Sequence, residues 1–319
     1  MDPLVSVILP NYNHARYLKR RIQSIISQSY ERFELIILDD CSSDDSQQII
    51  LKYANQDKRI RTFFNEHNSG STFRQWHKGL SFATGEYVWI AESDDFAETN
   101  FLAELVPLME RDKSIALGYS NSNVVDENDQ SDGTTADWKN NSFQTQRWNY
   151  DFITEGLEEL TSYLSRTCTI NNVSAVLFRS QSIDAVGGVD TSFRYTGDWL
   201  MYIKLSLVGR IAYRAACLSN YREHSANASK NSLGDSSQLF ERQECFAFIY
   251  HSKALSAAAQ ETMMHCASLE FLSLTYNLLR RSWQPGRLAS CVRQIAAVDW
   301  QFYLRVQSRA AQLVLRGQY

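Results

Sequence analysis

Short apolar runs alternate with segments of helical period through the first hundred or so residues of this 319-residue chain, and that alternation most limits what it can fold into. LVSVILP (residues 4–10) and FELIILD (33–39) are near-continuous apolar runs with the length of strands buried on both faces. Between them, HARYLKRRIQSIISQS (14–29) places Tyr17, Ile22, Ile25 and Ile26 near one helical face and its charges elsewhere. SQQIILKYA (46–54) predicts a second helix, and RIRTFF, FRQWHKGLSFA, EYVWIAES and FLAELVPLMER continue the pattern. Such βαβ units predict an α/β fold, a mainly parallel sheet flanked by helices, with ligands at the carboxyl ends of the strands.

Farther along, the polar stretch 126–150 has no period and reads as a functional loop or lid. A helix near 156–166, a strand over 173–179, a helix around 197–208 and a strand over 210–216 follow it. From about 238 the pattern is helical, broken at Pro285-Gly286. The spacing predicts an α/β domain over 1–237 and a C-terminal helical region over 238–319.

A net charge of -4 gives no general reason to expect nucleic acid as a partner. The six cysteines are scattered without a CxxC pair, so neither a zinc site nor a disulfide framework is signalled. MDPLVSVILP lacks the features of a signal peptide, and no run reaches the ~18 apolar residues of a membrane helix, so the expectation is a cytoplasmic chain.

Chemistry concentrates where the strands end. WIAESDDF (89–96) sets Glu92, Asp94 and Asp95 within one turn of an apolar run. Three converging anions raise one another's pKa values unless a cation joins them. Mg2+ or Mn2+ takes carboxylate oxygens and leaves room for phosphate oxygens, whereas a plain helix cap near Glu98 is the simpler alternative. ILDDCSSDDS (37–46) repeats the arrangement with Asp39 and Asp40, whose carboxylates suit a base N–H or ribose hydroxyls. Asp44, Asp45 and Ser46 read as a solvated turn and cap. An EF-hand is excluded for want of its glycine and closing glutamate, and neither GxGxxG nor a P-loop is present to hold phosphate.

VSVILPNYNHARYL, LIILDDCSSDDS and NSGSTFRQWHKGLSFATGEYVWIAESDD, in that order, resemble the N-terminal half of family 2 glycosyltransferases, over roughly residues 4–224. The resemblance implies the Rossmann-like GT-A fold and an inverting transfer from a nucleotide-diphosphate sugar, with UDP mildly preferred, to a glycan or lipid-linked acceptor in surface polysaccharide synthesis. It implies that Pro10 and Tyr12 flank the base, that Asp39 bonds to it, and that Asp40 and Asp94 lie by the ribose. Asp95 would ligate Mn2+ or Mg2+, and Arg74 or Lys78 would meet the diphosphate. Asp198, before WLMYIKL, fits the general base, and a helix cap is its plainer role. In NYREHSANAS (220–229), Arg222 would help neutralise the diphosphate and His224 would ligate the metal or touch phosphate.

Three departures from the commonest pattern stand out. Cys41 occupies a position where glycine is frequent, from which a turn without positive φ is expected. Glu92 replaces an aspartate, and FRQWHKG replaces a run of small residues with Trp76 read as core. From Arg280 onward the chain carries seven arginines against one acid, Asp299, among aromatic and aliphatic residues. That composition suits a helix at an anionic surface, such as the inner face of the cytoplasmic membrane, and equally suits subunit association or packing on the catalytic domain. A non-catalytic nucleotide-sugar-binding subunit and a metal-dependent nucleotidyltransferase are the competing functional classes.

Overall fold

The computed structural model describes residues 2–224, 236–281 and 300–315. Their strands form one sheet: β1 (Val5–Asn11), β2 (Phe33–Asp39), β3 (Ile60–Phe64), β4 (Tyr87–Ile90), β5 (Phe96–Ala97), β6 (Ile115–Val125), β7 (Ser131–Thr134), β8 (Phe152–Thr154), β9 (Val176–Arg179) and β10 (Arg210–Arg222). The order is β3-β2-β1-β4-β9-β6-β10-β5, with β7 on β6 and β8 on β10. The first four of these strands are parallel, as are β6 and β10, while β9 runs against both its neighbours and β5 against β10. It is a mostly parallel mixed sheet.

Helices cover both faces. Val5, Val7 and Leu9 of β1 share a core with Leu18, Ile22 and Ile25 of α1 (Ala15–Ile26), Ile50 of α2 (Ser46–Ala54) and Phe101 and Leu105 of α4 (Phe101–Glu110). Ile8 and Leu38 point the other way, towards α3 (Thr72–Phe82), which lies so close that a Cβ on Gly79 would meet Ile8 at 2.4 Å. The period-2 alternation of a strand thus serves two apolar layers, which is why these runs read as continuous apolar segments.

Two segments differ from expectation. Residues 126–150 are no bare loop: they hold β7, α5 (Thr135–Phe143) and a 3-10 turn at Arg147–Asn149. Thr134 Oγ1 accepts from the Asp137 amide at 3.2 Å and Asp137 Oδ2 accepts from the Thr134 amide at 3.0 Å, a reciprocal cap legible as Thr-x-x-Asp. The eleven-residue β6 carries the polar run Ser120–Asn123, which hides a strand from a hydrophobicity reading. Its asparagines are held locally: Asn121 Oδ1 accepts from Thr135 Oγ1 at 3.0 Å and the Ala136 amide at 2.9 Å, and Asn123 donates to Asn220 at 3.0 Å.

The described chain forms two compact units. One comprises residues 1–156, 170–192 and 204–224; the other comprises 157–169, 193–203 and 225–319. The second unit therefore draws on segments well before 238. In it lie α9 (Ser236–Ser252), α10 (Ala257–Arg281) and α11 (Trp300–Leu315). Trp199 donates its indole N–H to the Leu164 carbonyl at 3.0 Å, and Arg242 pairs with Glu270 at 2.7 Å. Phe302 and Tyr303 are buried, their rings against Tyr250 and Phe271. These aromatics and Arg309, paired with Glu261, are occupied inside the unit instead of forming an open surface. Pro285-Gly286, Arg287, Arg293 and Arg316 fall outside the described residues. No helix among the described residues is long and apolar enough to cross a membrane.

Gly85, just before β4, allows the chain to pass against β1. A Cβ there would lie 2.6 Å from the Ser6 amide nitrogen and 2.7 Å from the Leu4 carbonyl oxygen. Gly85→Ala is expected to cost ~1–3 kcal/mol, read as a lower urea midpoint at unchanged slope.

Candidate active site

The turns after β1 and β2 are laced together by side chains. Asn13 Oδ1 accepts from the Ser43 amide at 2.7 Å, Ser42 Oγ accepts from the Asn13 amide at 2.9 Å, and Asp44 Oδ2 accepts from Ala15 at the start of α1 at 2.8 Å. Asn13 and Cys41 both sit in the left-handed region, with φ of 55° and 64°. The expectation for Cys41 was therefore wrong: the turn does need a positive φ, and a cysteine holds it at a strain of ~1 kcal/mol or more.

Asp39 and Asp40 are buried within this lacing. Asp39 accepts from Asn11 Nδ2 at 2.9 Å, the Ser42 amide at 3.0 Å and Gln47 Nε2 at 3.1 Å. Asp40 accepts from Asn65 Nδ2 at 2.6 Å, the Ser69 amide at 2.9 Å, Ser69 Oγ at 2.7 Å and Gln75 Nε2 at 3.0 Å. Both carboxylates first organise the walls around them. Pro10 is buried in β1, whereas Tyr12 on the same turn is 47% exposed. Lys78 donates to Asn65 Oδ1, and Arg74 is exposed, its Nη1 bonded to the Ser69 carbonyl at 3.1 Å.

At the end of β4 the chain turns and sends its three acids to three destinations. Glu92 accepts from the Trp76 indole at 2.6 Å and Thr72 Oγ1 at 3.2 Å, and burial together with the nearby Asp94 pushes its pKa up to about 8. Trp76 is core, as expected, and is also the partner of Glu92. Asp95 points inward, Oδ1 accepting from the Arg222 amide at 2.9 Å; burial, then Asp94, raises it to about 7. The principal charge opposing that rise is Arg21 of α1, a fully buried guanidinium 5.0 Å from the Trp89 ring.

Asp94 goes elsewhere. Its Oδ2 lies 3.0 Å from His224 Nε2, and the two imidazoles of His14 and His224 hold its carboxyl below the ordinary range against the desolvation of burial. One ligand atom from each of His14, Asp94 and His224 lies within 4.8 Å of the others. His14 Nδ1 is 2.8 Å from Ser93 Oγ. Where the sequence reading paired Asp95 with His224, the turn at Ser93 sets His224 beside Asp94 and buries Asp95. His14 was missed, although it stands in NYNH beside a turn already singled out.

Arg222 is only 2% exposed, and its guanidinium is committed within the protein. Nε donates to the Asp94 carbonyl at 2.8 Å, Nη1 to the Asp126 carbonyl at 2.7 Å and Nη2 to Asp129. With Arg16 on Glu127 and Arg20 on Asp129, it ties residues 126–129 to α1. These bonds brace the turn that carries Asp94, and it is there, with its donors so engaged, that the structure places the residue expected to face phosphate.

In the second unit, Asp198 lies in the first turn of α8 (Gly197–Ser206), Oδ1 accepting from the Trp199 amide at 2.8 Å. Part of the residue is exposed, yet its carboxyl is set deep enough that burial raises the pKa to about 6, with the charge of Glu241 adding to the rise. Glu241 of α9 accepts from the amides of Arg194, Tyr195 and Thr196 at 2.7, 2.7 and 2.8 Å. One side chain thereby holds the whole turn that leads into the Asp198 helix.

Known proteins share this architecture. GlyG, a glycosyltransferase of Streptococcus pneumoniae, is 36% identical over 130 residues, 40% of this chain and 43% of that protein. The Escherichia coli UDP-Glc:alpha-D-GlcNAc-diphosphoundecaprenol beta-1,3-glucosyltransferase WfgD is 31% identical over 127 residues, 40% of this chain and 49% of its own length. The chain spans less than half the length of these relatives. Staphylococcus aureus TarS 1-349 in complex with UDP-GlcNAc superimposes with a TM-score of 0.68 at 17% identity, covering 99% of this chain and 92% of that one, a likeness of fold. The sequence profile of Glycosyl transferase family 2 matches residues 6–172, more than half of the chain, and the protein belongs to that family.

Proposed function

We infer that this chain is an inverting glycosyltransferase that moves a sugar from a nucleotide-diphosphate donor to an acceptor hydroxyl, with a divalent cation, Mn2+ or Mg2+, at the donor diphosphate. The observation that carries the reading is the convergence of Asp94 and His224 at the β4 edge, one strand away from the Asp39–Asp40 turn across β1. Nucleotide sugars suit a site at the carboxyl ends of parallel strands. Support for a UDP-sugar donor comes from TarS, bound to UDP-GlcNAc, and from the UDP-Glc-dependent WfgD, whose acceptor is lipid-linked; support for a role in surface polysaccharide synthesis comes from TuaG of Bacillus subtilis, described as a putative teichuronic acid biosynthesis glycosyltransferase.

Roles follow from chemistry. Tyr12 and Pro10 flank the base, Asp39 receives its N–H, and Asp40 keeps Asn65 and Ser69 in place beside the ribose. Asp94 and His224 would hold the cation, which when bound offsets the charge of the departing diphosphate. Of the two basic candidates, the exposed Arg74 is the one assigned to the diphosphate, since Lys78 is turned to Asn65. The acceptor oxygen attacks the anomeric carbon, the bond to the diphosphate breaks with its electron pair on that leaving group, and Asp198 takes the acceptor's proton.

The test is incubation with a panel of UDP-, GDP- and dTDP-sugars, with and without Mn2+ or Mg2+. Release of nucleoside diphosphate supports the reading; pyrophosphate release or binding without turnover sinks it, in favour of a nucleotidyltransferase or a non-catalytic subunit. Asp198→Asn is expected to lower kcat by ~10²–10⁴ while UDP still binds.

The pH profile gives a second check. Asp198 must be ionised to act as base, so kcat/KM is expected to fall as pH drops through about 6. Glu241→Gln removes one of the charges that raise Asp198, so this acid limb is expected to move to lower pH while donor affinity holds.

A further inference from the structure

We propose that His14 is a third protein ligand of the cation, making a two-imidazole, one-carboxylate site that captures Mn2+ without nucleotide and prefers it to Mg2+. The proposal rests on the metal reading above and extends it to a residue outside the acidic motif.

The geometry comes from three separate stretches. His14 ends the turn after β1, Asp94 lies in the turn after β4, and His224 stands two residues beyond the end of β10. Ligands about 2.1 Å from a common ion stand ~3–4 Å apart, and the His224–Asp94 pair is already at 3.0 Å. Within the 4.8 Å span of all three groups, small side-chain rotations close the remainder. The rings of His14 and His224 stand 5.8 Å apart at 86°, edge to face, so neither blocks the other's approach to a shared ion.

Orientation is also provided. Ser93 Oγ lies 2.8 Å from His14 Nδ1, the hydrogen bond that orients a ligating imidazole by engaging one ring nitrogen and leaving the other lone pair for a metal. His14 Nε2 has no hydrogen-bond partner among the described residues. Tyr17 lies 5.2 Å from the His224 ring and packs that imidazole in place. Two residues of the acidic turn therefore take part in different ways: Asp94 as ligand and Ser93 as the support of a ligand.

Donor chemistry then fixes selectivity. Mg2+ keeps its waters and favours oxygen, whereas imidazole suits the later divalent ions, and affinity for nitrogen sites rises along the first transition row from Mn2+. Three protein ligands leave open positions for two diphosphate oxygens and a water. Such a site is loaded before the donor arrives, unlike one that needs the nucleotide to complete its coordination.

The test uses the full-length protein and Mn2+ alone. Titration followed by the loss of the free-ion EPR signal is expected to show one tight site, displaced by Mg2+ only at much higher concentration. Electron spin-echo modulation of the bound Mn2+ is expected to show two coupled imidazole nitrogens in the wild type and one in His14→Ala. His14→Ala and His14→Gln should each weaken nucleotide-free Mn2+ binding by about tenfold or more, with melting curves confirming that both fold. If Asp94→Asn abolishes binding while both His14 variants bind as the wild type does, the third ligand is refuted and the metal reading stands. If Mn2+ fails to bind the wild type with or without UDP, the metal reading itself fails.

Discussion

Burial of carboxylates where parallel strands end is the constraint on which the rest of the site depends. An acid removed from water must find donors or a cation or take up a proton, and the five acids at the ends of β2 and β4 are accommodated in different ways. Asp39 and Asp40 collect protein N–H and O–H groups. Glu92 rests on an indole, and Asp95 takes an amide opposite a buried arginine. Only Asp94 is aimed at imidazoles, and that leaves it as the acid able to share a metal ion. Even so sorted, burial leaves Glu92 and Asp95 with raised pKa values, about 8 and about 7, and only Asp94 of the β4 trio is held below the ordinary range.

Legibility in the sequence followed the same physics. β2 and α2 span the residues that the pattern marks, because apolar period is set by the layers a segment separates. β6 escaped since its Asn121 and Asn123 side chains are satisfied by α5 and β10, partners that a linear reading does not see. α5 was legible through Thr134 and Asp137 but was outweighed by the polarity around it. The acidic motif announced the site, yet which of two adjacent aspartates meets His224 depends on one turn's dihedral angles. Residue type cannot separate Asp94 from Asp95; placement of Ser93 does.

Arginine illustrates the difference between charge and availability. Arg222 matched a motif whose expected partner is a phosphate, but its donors are divided among Asp94, Asp126 and Asp129. Arg16, Arg20 and Arg222 together gather the 126–129 turn against α1, and the consequence is a fixed backdrop for Asp94 and His14. Arg21, whose three guanidinium nitrogens have no hydrogen-bond partner among the described residues, is balanced instead by an aromatic face and by Asp95. Each of these cations stabilises the frame that the ligand-facing groups stand on.

The contact made by Glu241 reaches beyond its own helix. A shortened chain ending ahead of α9 would retain every strand and every acid at the sheet margin. It would nonetheless strand three consecutive peptide amides, 194 to 196, with no carboxylate to receive them. The helical region is accordingly part of what shapes the Asp198 turn, and a fragment that keeps this turn has to extend past the point where the sheet is complete.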